Sequence, residues 1–467
     1  MGQPVTGDDD SSLETVMVYA RRLTPVSRVA ATVTVIDQAR IETTLATDIR
    51  ELVRYEPGLS VRNDPFRFGL DTISVRGLGG NRVAVEVDGI PAAGGFAVGS
   101  YADSGRAYVD AAFVDRVEFL RGPASSLYGS DAIGGVVAMT TLTPERLLAQ
   151  GEGDYAARTD AGFDSASDGW RAAALAAGAI GGTQWLVGYS RREGHESDTA
   201  ADVTPNPSEY ANDSALMKVT GTVPGGPLTF TAEAGRIQQA TDVNAFLGVG
   251  RFLNTTALAG DDEMLRYRVS LGQALTGANA AFDSADWSAY WQGTETEQDT
   301  YEVRRAVPPR TPPVQLDRTF KFDESAFGVE FTAVKSLGSG SIVHDVVYGF
   351  EATRSELDEL RNGLQTDLAT GATTPTILGE TFPLRDLPLS TVIEVGAFVQ
   401  DEVQFDDARW TLVPALRVDY YDLTPEGGGT RSDPCVFLEQ HIQRRDGFFK
   451  AAGDLLKLVD EDLRRVG

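Results

Sequence analysis

The chain has 467 residues, 42% of them hydrophobic, and a formal net charge of −27 at pH 7. That charge opposes nucleic-acid binding, which needs clustered Lys and Arg to displace phosphate counterions. One cysteine, Cys435, excludes an internal disulfide framework, and three scattered histidines, His195, His344 and His441, give no metal-ligand spacing; no cofactor and no catalytic constellation is expected.

At the N-terminus no basic stretch precedes an apolar one, so no secretory signal is visible. The first residues are polar and acidic (Asp8, Asp9, Asp10) and lead into a short β-prone run, Glu14-Thr15-Val16-Met17-Val18. In a flexible tail such a run is a strand without a partner. From about Pro25 to Thr143 helix and strand signals mix with many glycines. A helix is expected from Ala46 to Tyr55, where Ile49, Leu52 and Val53 recur at helical spacing and Pro57-Gly58 stops it. Val83, Val85 and Val87 alternate as a strand turned by Asp88-Gly89. Gly134-Gly135 allows close backbone packing before a strand from Val136 to Thr140. No window of about 18 uninterrupted apolar residues occurs; Ala172 to Tyr189 reads as two strands joined at Gly181-Gly182.

Beyond about Gly151 the hydrophobic period becomes two. In Trp410 to Tyr420 the even positions Trp410, Leu412, Leu416, Val418 and Tyr420 are apolar, against Thr411, Arg417 and Asp419. Ile393, Val395, Ala397, Val399 and Val403 alternate with Glu394, Gln400 and Glu402, although Asp401 falls on the apolar side. Leu265, Tyr267, Val269 and Leu271 oppose Arg266, Arg268 and Ser270, and Leu228, Phe230 and Ala232 oppose Thr229, Thr231 and Glu233. Charge on one strand face with aromatic residues near strand ends favours a membrane barrel with a polar lumen over a soluble sandwich. Glu193 to Ser214, Arg304 to Asp317 and Leu357 to Pro388 read as long loops.

Two stretches then carry a family resemblance. Ile73-Ser74-Val75-Arg76-Gly77-Leu78-Gly79-Gly80-Asn81-Arg82, running on to Asp88-Gly89-Ile90-Pro91, resembles the plug of TonB-dependent outer-membrane receptors. So does Val114 to Val137, with Arg121-Gly122-Pro123, Tyr128-Gly129 and Gly134-Gly135. The resemblance implies a mainly β protein: an α+β plug domain followed by an incomplete transmembrane antiparallel β-barrel and a non-native helical C-terminal tail. The implied boundaries are 1–24 for a flexible tail with the TonB box, 25–145 for the plug, 150–426 for the partial barrel and 427–467 for the aberrant tail.

Within that resemblance Glu14, Thr15, Val16, Met17 and Val18 look like the TonB box, which would pair by strand addition with TonB of the inner-membrane energy-transducing complex. Arg76 and Arg121 are expected to face acidic residues of the barrel wall, since buried guanidinium groups need partners. The plug glycines read as tight turns. The implied function is energised uptake of an iron-containing ligand across the Gram-negative outer membrane, in contact with its lipid. The barrel segments Val395 to Val403 and Leu412 to Tyr421 also resemble such receptors and, together with Phe382-Pro383-Leu384-Arg385-Asp386-Leu387-Pro388, lean towards haem or haemoglobin-derived iron, with ferric siderophores or another nutrient as the alternative. His344 reads as interfacial, leaving His195 as the one haem-ligand candidate. Roughly ten to twelve strands are legible against about 22 in the family's barrels. After Gly427 the apolar residues Phe448, Leu455, Leu456, Val459 and Leu463 take helical spacing. The expectation is therefore a gene truncated or frame-shifted near Gly427, and a nonfunctional fragment is the third reading.

Overall fold

The computed structural model describes residues 15–17, 21, 24–25, 29, 31–46, 48–61, 73–99, 102–104, 106, 109–197, 206–308, 311–339, 342–405 and 410–426. The helical tail expected from residue 427, the third histidine His441, and Glu14 and Val18 of the box lie outside the described residues.

The plug is built on a five-stranded mixed sheet. Its strands are β1 (Thr32–Asp37), β2 (Val83–Val87), β3 (Ile90–Pro91), β4 (Val114–Arg121) and β5 (Gly135–Thr141), in the spatial order β1-β4-β5-β2-β3. β5 runs antiparallel to β4 and parallel to β2. All five residues of β2 are buried, so the expected valine alternation becomes a fully covered strand. Two short helices, α1 (Gln38–Thr44) and α2 (Ile49–Val53), are N-capped by the side chains of Asp37 and Asp48. The helix expected from Ala46 to Tyr55 is thus shorter, starting at the Asp48 cap. Ile41, Ile49, Leu52 and Val53 pack with Val85, Val117, Phe119 and Val137 in the plug core.

Two further helices, α3 (Ser125–Tyr128) and α4 (Pro144–Leu148), follow β4 and β5. Gly135 is required where it stands: its φ is +157°, and a Cβ would lie 2.2 Å from the Leu120 carbonyl oxygen. Gly89, at φ +79°, completes the turn that carries β2 into β3.

The wall is one antiparallel sheet. It comprises β6 (Tyr155–Asp164), β7 (Gly169–Ile180), β8 (Thr183–His195), β9 (Ser208–Val223), β10 (Gly226–Asp242), β11 (Thr255–Thr276), β12 (Ser284–Arg304), β13 (Val314–Ser339), β14 (Ile342–Asp367), β15 (Ser390–Phe405) and β16 (Ala415–Pro425). Each strand from β6 to β15 pairs with its sequence neighbour, and β16 pairs with β15. Among the described residues the sheet does not close on itself. β7 and β8 are the two strands expected around Gly181-Gly182, both of which have positive φ.

The loops are shorter than the sequence suggests. β8 continues to His195 and β9 begins at Ser208, so both ends of the Glu193 to Ser214 stretch are strand; β14 likewise runs to Asp367. These polar segments pair because a lumenal and extramembrane sheet tolerates polar side chains on both faces. Beyond β14 a small hairpin, Thr376–Ile377 with Glu380–Thr381, folds back on the wall: Ile377 and Phe382 bury against Val314 and Leu316, and Arg361 pairs with Glu380 and Asp386.

The two faces of the wall differ sharply. Val187, Tyr189, Met217, Val269, Leu271, Trp291 and Phe327 are large apolar side chains left exposed on the outward face. Tyr267 lies against Trp291 with ring centroids 5.0 Å apart. Arg191, Asp213, Arg236, Glu263, Glu297 and Lys321 form ion pairs beyond this band. An apolar belt edged by aromatic residues and then by charges matches lipid followed by headgroups. Asp401 and His344, the two polar residues on apolar strand faces, meet each other at 2.8 Å, which accounts for both. Among the described residues no helix is long and apolar enough to cross a membrane, which says nothing of strands.

If this band faces lipid, Val269→Arg should destabilise the receptor by about 2–4 kcal/mol, and Glu295→Arg beyond the band by about 0–1 kcal/mol. Urea titration in lipid vesicles, read by heat-modifiable gel mobility, checks this; equal costs would contradict the assignment.

Candidate functional site: the seat of the plug

The plug rests on the inward face of the wall. At its base Phe113, Leu142 and Leu147 pack on Ala173, Leu175, Leu186 and Leu216 of β7 to β9. Gly188 makes room for this contact, since a Cβ there would come within 2.8 Å of the Phe113 ring.

Beside this apolar seat lies a buried charge network. Asp88 occupies a left-handed turn position, φ +53°. Its carboxylate accepts from the Thr141 amide at 2.8 Å and hydroxyl at 2.7 Å. Two wall cations close on it, Lys218 at 3.1 Å and Arg268 at 3.3 Å. Lys218 also donates to the Thr141 carbonyl and Arg268 to that of Val87. Glu233 balances Arg268 at 2.5 Å and Arg266 at 2.9 Å. Burial would raise the Asp88 carboxyl, but Lys218, Arg268 and the Thr141 donors outweigh it and hold the group below its ordinary value.

A second network surrounds Arg21, three residues beyond the Glu14 to Val18 run. Its guanidinium lies 3.2 Å from Glu86 of the plug, and 3.5 Å and 3.9 Å from Glu351 and Glu330 of the wall. It also sits over the Tyr128 ring at 4.5 Å and near Phe398 at 5.1 Å. Arg417 of the wall pairs with Glu351 and donates to the Leu127 carbonyl at 3.0 Å. Burial pushes the Glu86 carboxyl up to about 7, with Arg21 pulling it back.

The motif residues fall into three groups. Asn81 pins the plug apex, bonding Gly95 through both amide atoms, at 3.0 and 3.1 Å, while Arg106 donates to its oxygen at 3.1 Å. Arg82 donates to the Gly79 carbonyl. Gly77, Gly89, Gly122 and Gly129 hold positive φ. Gly122 bonds the Gly134 carbonyl at 3.2 Å, Gly134 backs onto Leu78, and Pro123 is exposed. Gly129 lies against Arg417, where a Cβ would come within 3.1 Å, so it and Tyr128 reach the wall network.

The two motif arginines do not do what was expected. Arg121 pairs with Glu56 at 3.2 Å and Thr34 at 2.7 Å, all within the plug, because the Pro57-Gly58 turn returns Glu56 beside it. Arg76 is exposed at the edge of the plug and donates to Thr32. The polarity of the Asp88 seat is reversed: the plug contributes a carboxylate and backbone carbonyls, and the wall supplies the cations. The stretch read as a flexible tail is also partly ordered. Thr15–Val16 pairs with Thr24–Pro25, and the Met17 amide donates to Glu118 at 2.8 Å.

Sequence alternation placed Glu233, Arg266, Arg268 and Arg417 on the charged strand face but could not match them to Asp88 or Leu127, some 140 to 290 residues away in the chain. Arg21 carried no sequence signal at all.

Removing one member of a buried pair leaves an uncompensated charge, so Asp88→Asn should cost about 3–5 kcal/mol of plug stability. Limited proteolysis across a denaturant series should show the plug of the variant cleaved at markedly lower denaturant; an unchanged midpoint would remove Asp88 from the seat.

These features agree with known proteins. A TonB-dependent receptor plug domain model matches residues 25–136, and a TonB dependent receptor-like β-barrel model matches residues 217–456, just over half of the chain. Over 136 residues the chain is 34% identical to the vitamin B12 transporter BtuB of Vibrio vulnificus (strain CMCP6), an alignment spanning 28% of this chain and 21% of that protein. Among solved structures, FpvAI in its complex with pyocin S2 superposes with TM-score 0.63 at 16% identity, over 88% of this chain and 53% of that one. The Serratia marcescens hemophore receptor HasR, bound to its hemophore HasA and heme, superposes with TM-score 0.60 at 16% identity, over 84% and 52%. The chain thus spans about half the length of these two solved receptors. With plug and barrel both matched, it belongs to the TonB-dependent receptors, a Gram-negative outer-membrane family that takes up ligands rather than converting them.

Proposed function

We propose that the receptor containing this chain imports an iron compound by TonB coupling, and that Glu14 to Val18 form the box that adds as a strand to TonB. The observation that carries this reading is the position of Arg21. It lies three residues beyond the box run and bridges plug and wall through Glu86, Glu330 and Glu351. Tension on the box would therefore reach the plug–wall boundary within a few residues. The box itself is held by a two-residue ladder and one side-chain acceptor, Glu118, a weak hold that a partner strand can replace.

The plug apex closes on the wall through a buried apolar cluster. Phe96 of the plug apex stacks on Phe322 of the wall at 5.3 Å, beside Phe320, Leu357 and Leu387. The Phe382 to Pro388 motif favours haem as the ligand. The histidines favour a second reading. His195 lies three positions beyond Arg192, whose side chain reaches Asp48 of the plug, so strand alternation turns it outward; His344 is held by Asp401. An iron compound wrapped in its own organic ligands, a ferric siderophore, needs no protein-supplied iron ligand.

Growth of a receptor-null strain complemented with the receptor, on haemoglobin or ferric siderophores as sole iron source, separates the two ligands. Val16→Pro removes a ladder donor and should abolish growth on whichever source the wild type supports, with ligand binding to cells retained. Full growth of the Val16→Pro strain would sink the box assignment.

A further inference from the structure

The loop between β14 and β15 lies against the inward face of the wall. β14 outruns its partner: β15 pairs with it only as far as Leu357, opposite Ser390, and the backbone beyond faces the loop instead. Thr373–Thr374 pairs with Gln365 and Thr366. The hairpin of Thr376–Ile377 with Glu380–Thr381 then rests on Gly363, where a Cβ would come within 2.8 Å of Phe382 and 2.9 Å of Ile377. Glu359 and Arg361 stand directly opposite Phe322 and Phe320, so these four side chains share the face that meets the plug.

From Phe382 to Leu387 the chain takes the place of the missing strand. Arg361 and Leu384 exchange backbone hydrogen bonds at 2.8 and 2.9 Å. Arg385 pairs with Asp358 and donates to the Glu359 carbonyl, and Asp386 pairs with Arg361 at 2.9 Å. The Glu359 side chain is fully buried, and its Oε2 accepts from the amides of Asp386 at 2.6 Å and Leu387 at 3.2 Å. Its Oε1 has no partner among the described residues. A buried carboxylate satisfied on one side alone is costly to keep, and what it does here is fix the path of Asp386 and Leu387. That path ends at the plug. Leu357 and Leu387 pack on the cluster that Phe320 and Phe322 form with Ala102 of the plug, and Phe96 of the plug packs on it too. Phe96 and Ala102 belong to the apex hairpin, whose first strand, Ala97–Gly99, is exposed and which closes through the Phe96 and Ser104 amides.

We propose that Phe382 to Leu387 form a strap tying the loop between β14 and β15 to the plug apex, with Glu359 as its positioning residue, so that movement of this loop is transmitted to the apex hairpin. A ligand that shifts the loop shifts the apex with it. As a step in uptake this rests on the importer reading; the mechanical link itself does not. Coupling of this kind is reciprocal, so the apex must also hold the strap.

Amide hydrogen exchange on the purified receptor in detergent tests the strap. Glu359→Ala removes the acceptor of both strap amides, and Leu387→Ala removes the apolar contact. Each should speed exchange of the Phe96 and Ser104 amides by about tenfold and leave Gly135–Thr141 unchanged. Glu359→Gln keeps an oxygen for the two amides and should restore the wild-type rate; no restoration would remove Glu359 from the positioning role. In the reverse direction, Phe96→Ala should speed exchange at Asp386 and Leu387. Ile377→Ala loosens the hairpin on Val314 and Leu316 but leaves the bonds of the strap in place, and should not affect the apex. Unchanged apex rates in Glu359→Ala and Leu387→Ala, or equal acceleration in Ile377→Ala, would overturn the strap. Heat-modifiable mobility identifies a variant that does not fold; should Glu359→Ala be one, Leu387→Ala and Phe96→Ala decide. Exchange is read without ligand or TonB, so its failure is distinct from failure of the importer reading, which the Val16→Pro growth assay reports.

Discussion

The arrangement depends on one buried carboxylate. Asp88 sits in a left-handed turn at the end of β2, where two Thr141 donors fix its direction and two wall cations, Lys218 and Arg268, close on it. An aspartate left unpaired there would carry the full cost of desolvation, as would Lys218 without it, whereas Arg268 keeps Glu233. The same guanidinium and ammonium groups cap the Val87 and Thr141 carbonyls, so backbone groups at the ends of β2 and β5 are satisfied by the wall. Plug and wall are therefore parts of one hydrogen-bonding system, and the turn geometry of Asp88-Gly89 is what brings them into register.

The contacts are unevenly distributed, and that unevenness is functional in kind. The C-terminal half of the plug sheet is anchored by the Asp88 network and by the apolar seat of Phe113, Leu142 and Leu147. The N-terminal part is an edge strand and two short helices that share the plug core through Ile41, Ile49, Leu52 and Val53 but meet the wall through longer ion pairs. Between them Arg21 joins the extreme N-terminus to carboxylates of both bodies. Elements of low local stability are where a protein opens first, and here they adjoin the segment proposed to pair with TonB.

Much of the architecture was legible in the residues themselves. Period-two runs such as Leu265 to Leu271 marked the wall and identified which side chains faced inward, because a strand's faces alternate whatever its partners. The Asp88-Gly89 turn and the Gly134-Gly135 approach followed from backbone sterics alone. Partner choice was less accessible. The family resemblance points Arg121 at the wall, and a buried guanidinium needs a carboxylate, but Glu56, brought back by Pro57-Gly58, lies nearer. The polarity of Glu193 to Ser214 and Leu357 to Pro388 suggests loops throughout, yet above an apolar belt a barrel strand can be polar on both sides and still pair, as the ends of these stretches do. Arg21, in a short polar stretch, acquires meaning only when carboxylates 65 to 330 positions away converge on it.

The central claim, that the plug is seated through its C-terminal half and released through its N-terminal part, is tested most directly by amide hydrogen exchange on the receptor in outer-membrane vesicles. Amides of Val83–Val87, Val114–Arg121 and Gly135–Thr141 should exchange near the global unfolding limit, with those of Thr32–Asp37 and Gln38–Val53 exchanging through a separate, lower-energy opening. Uniform protection across the plug, or faster exchange in Gly135–Thr141 than in Thr32–Asp37, would contradict the account.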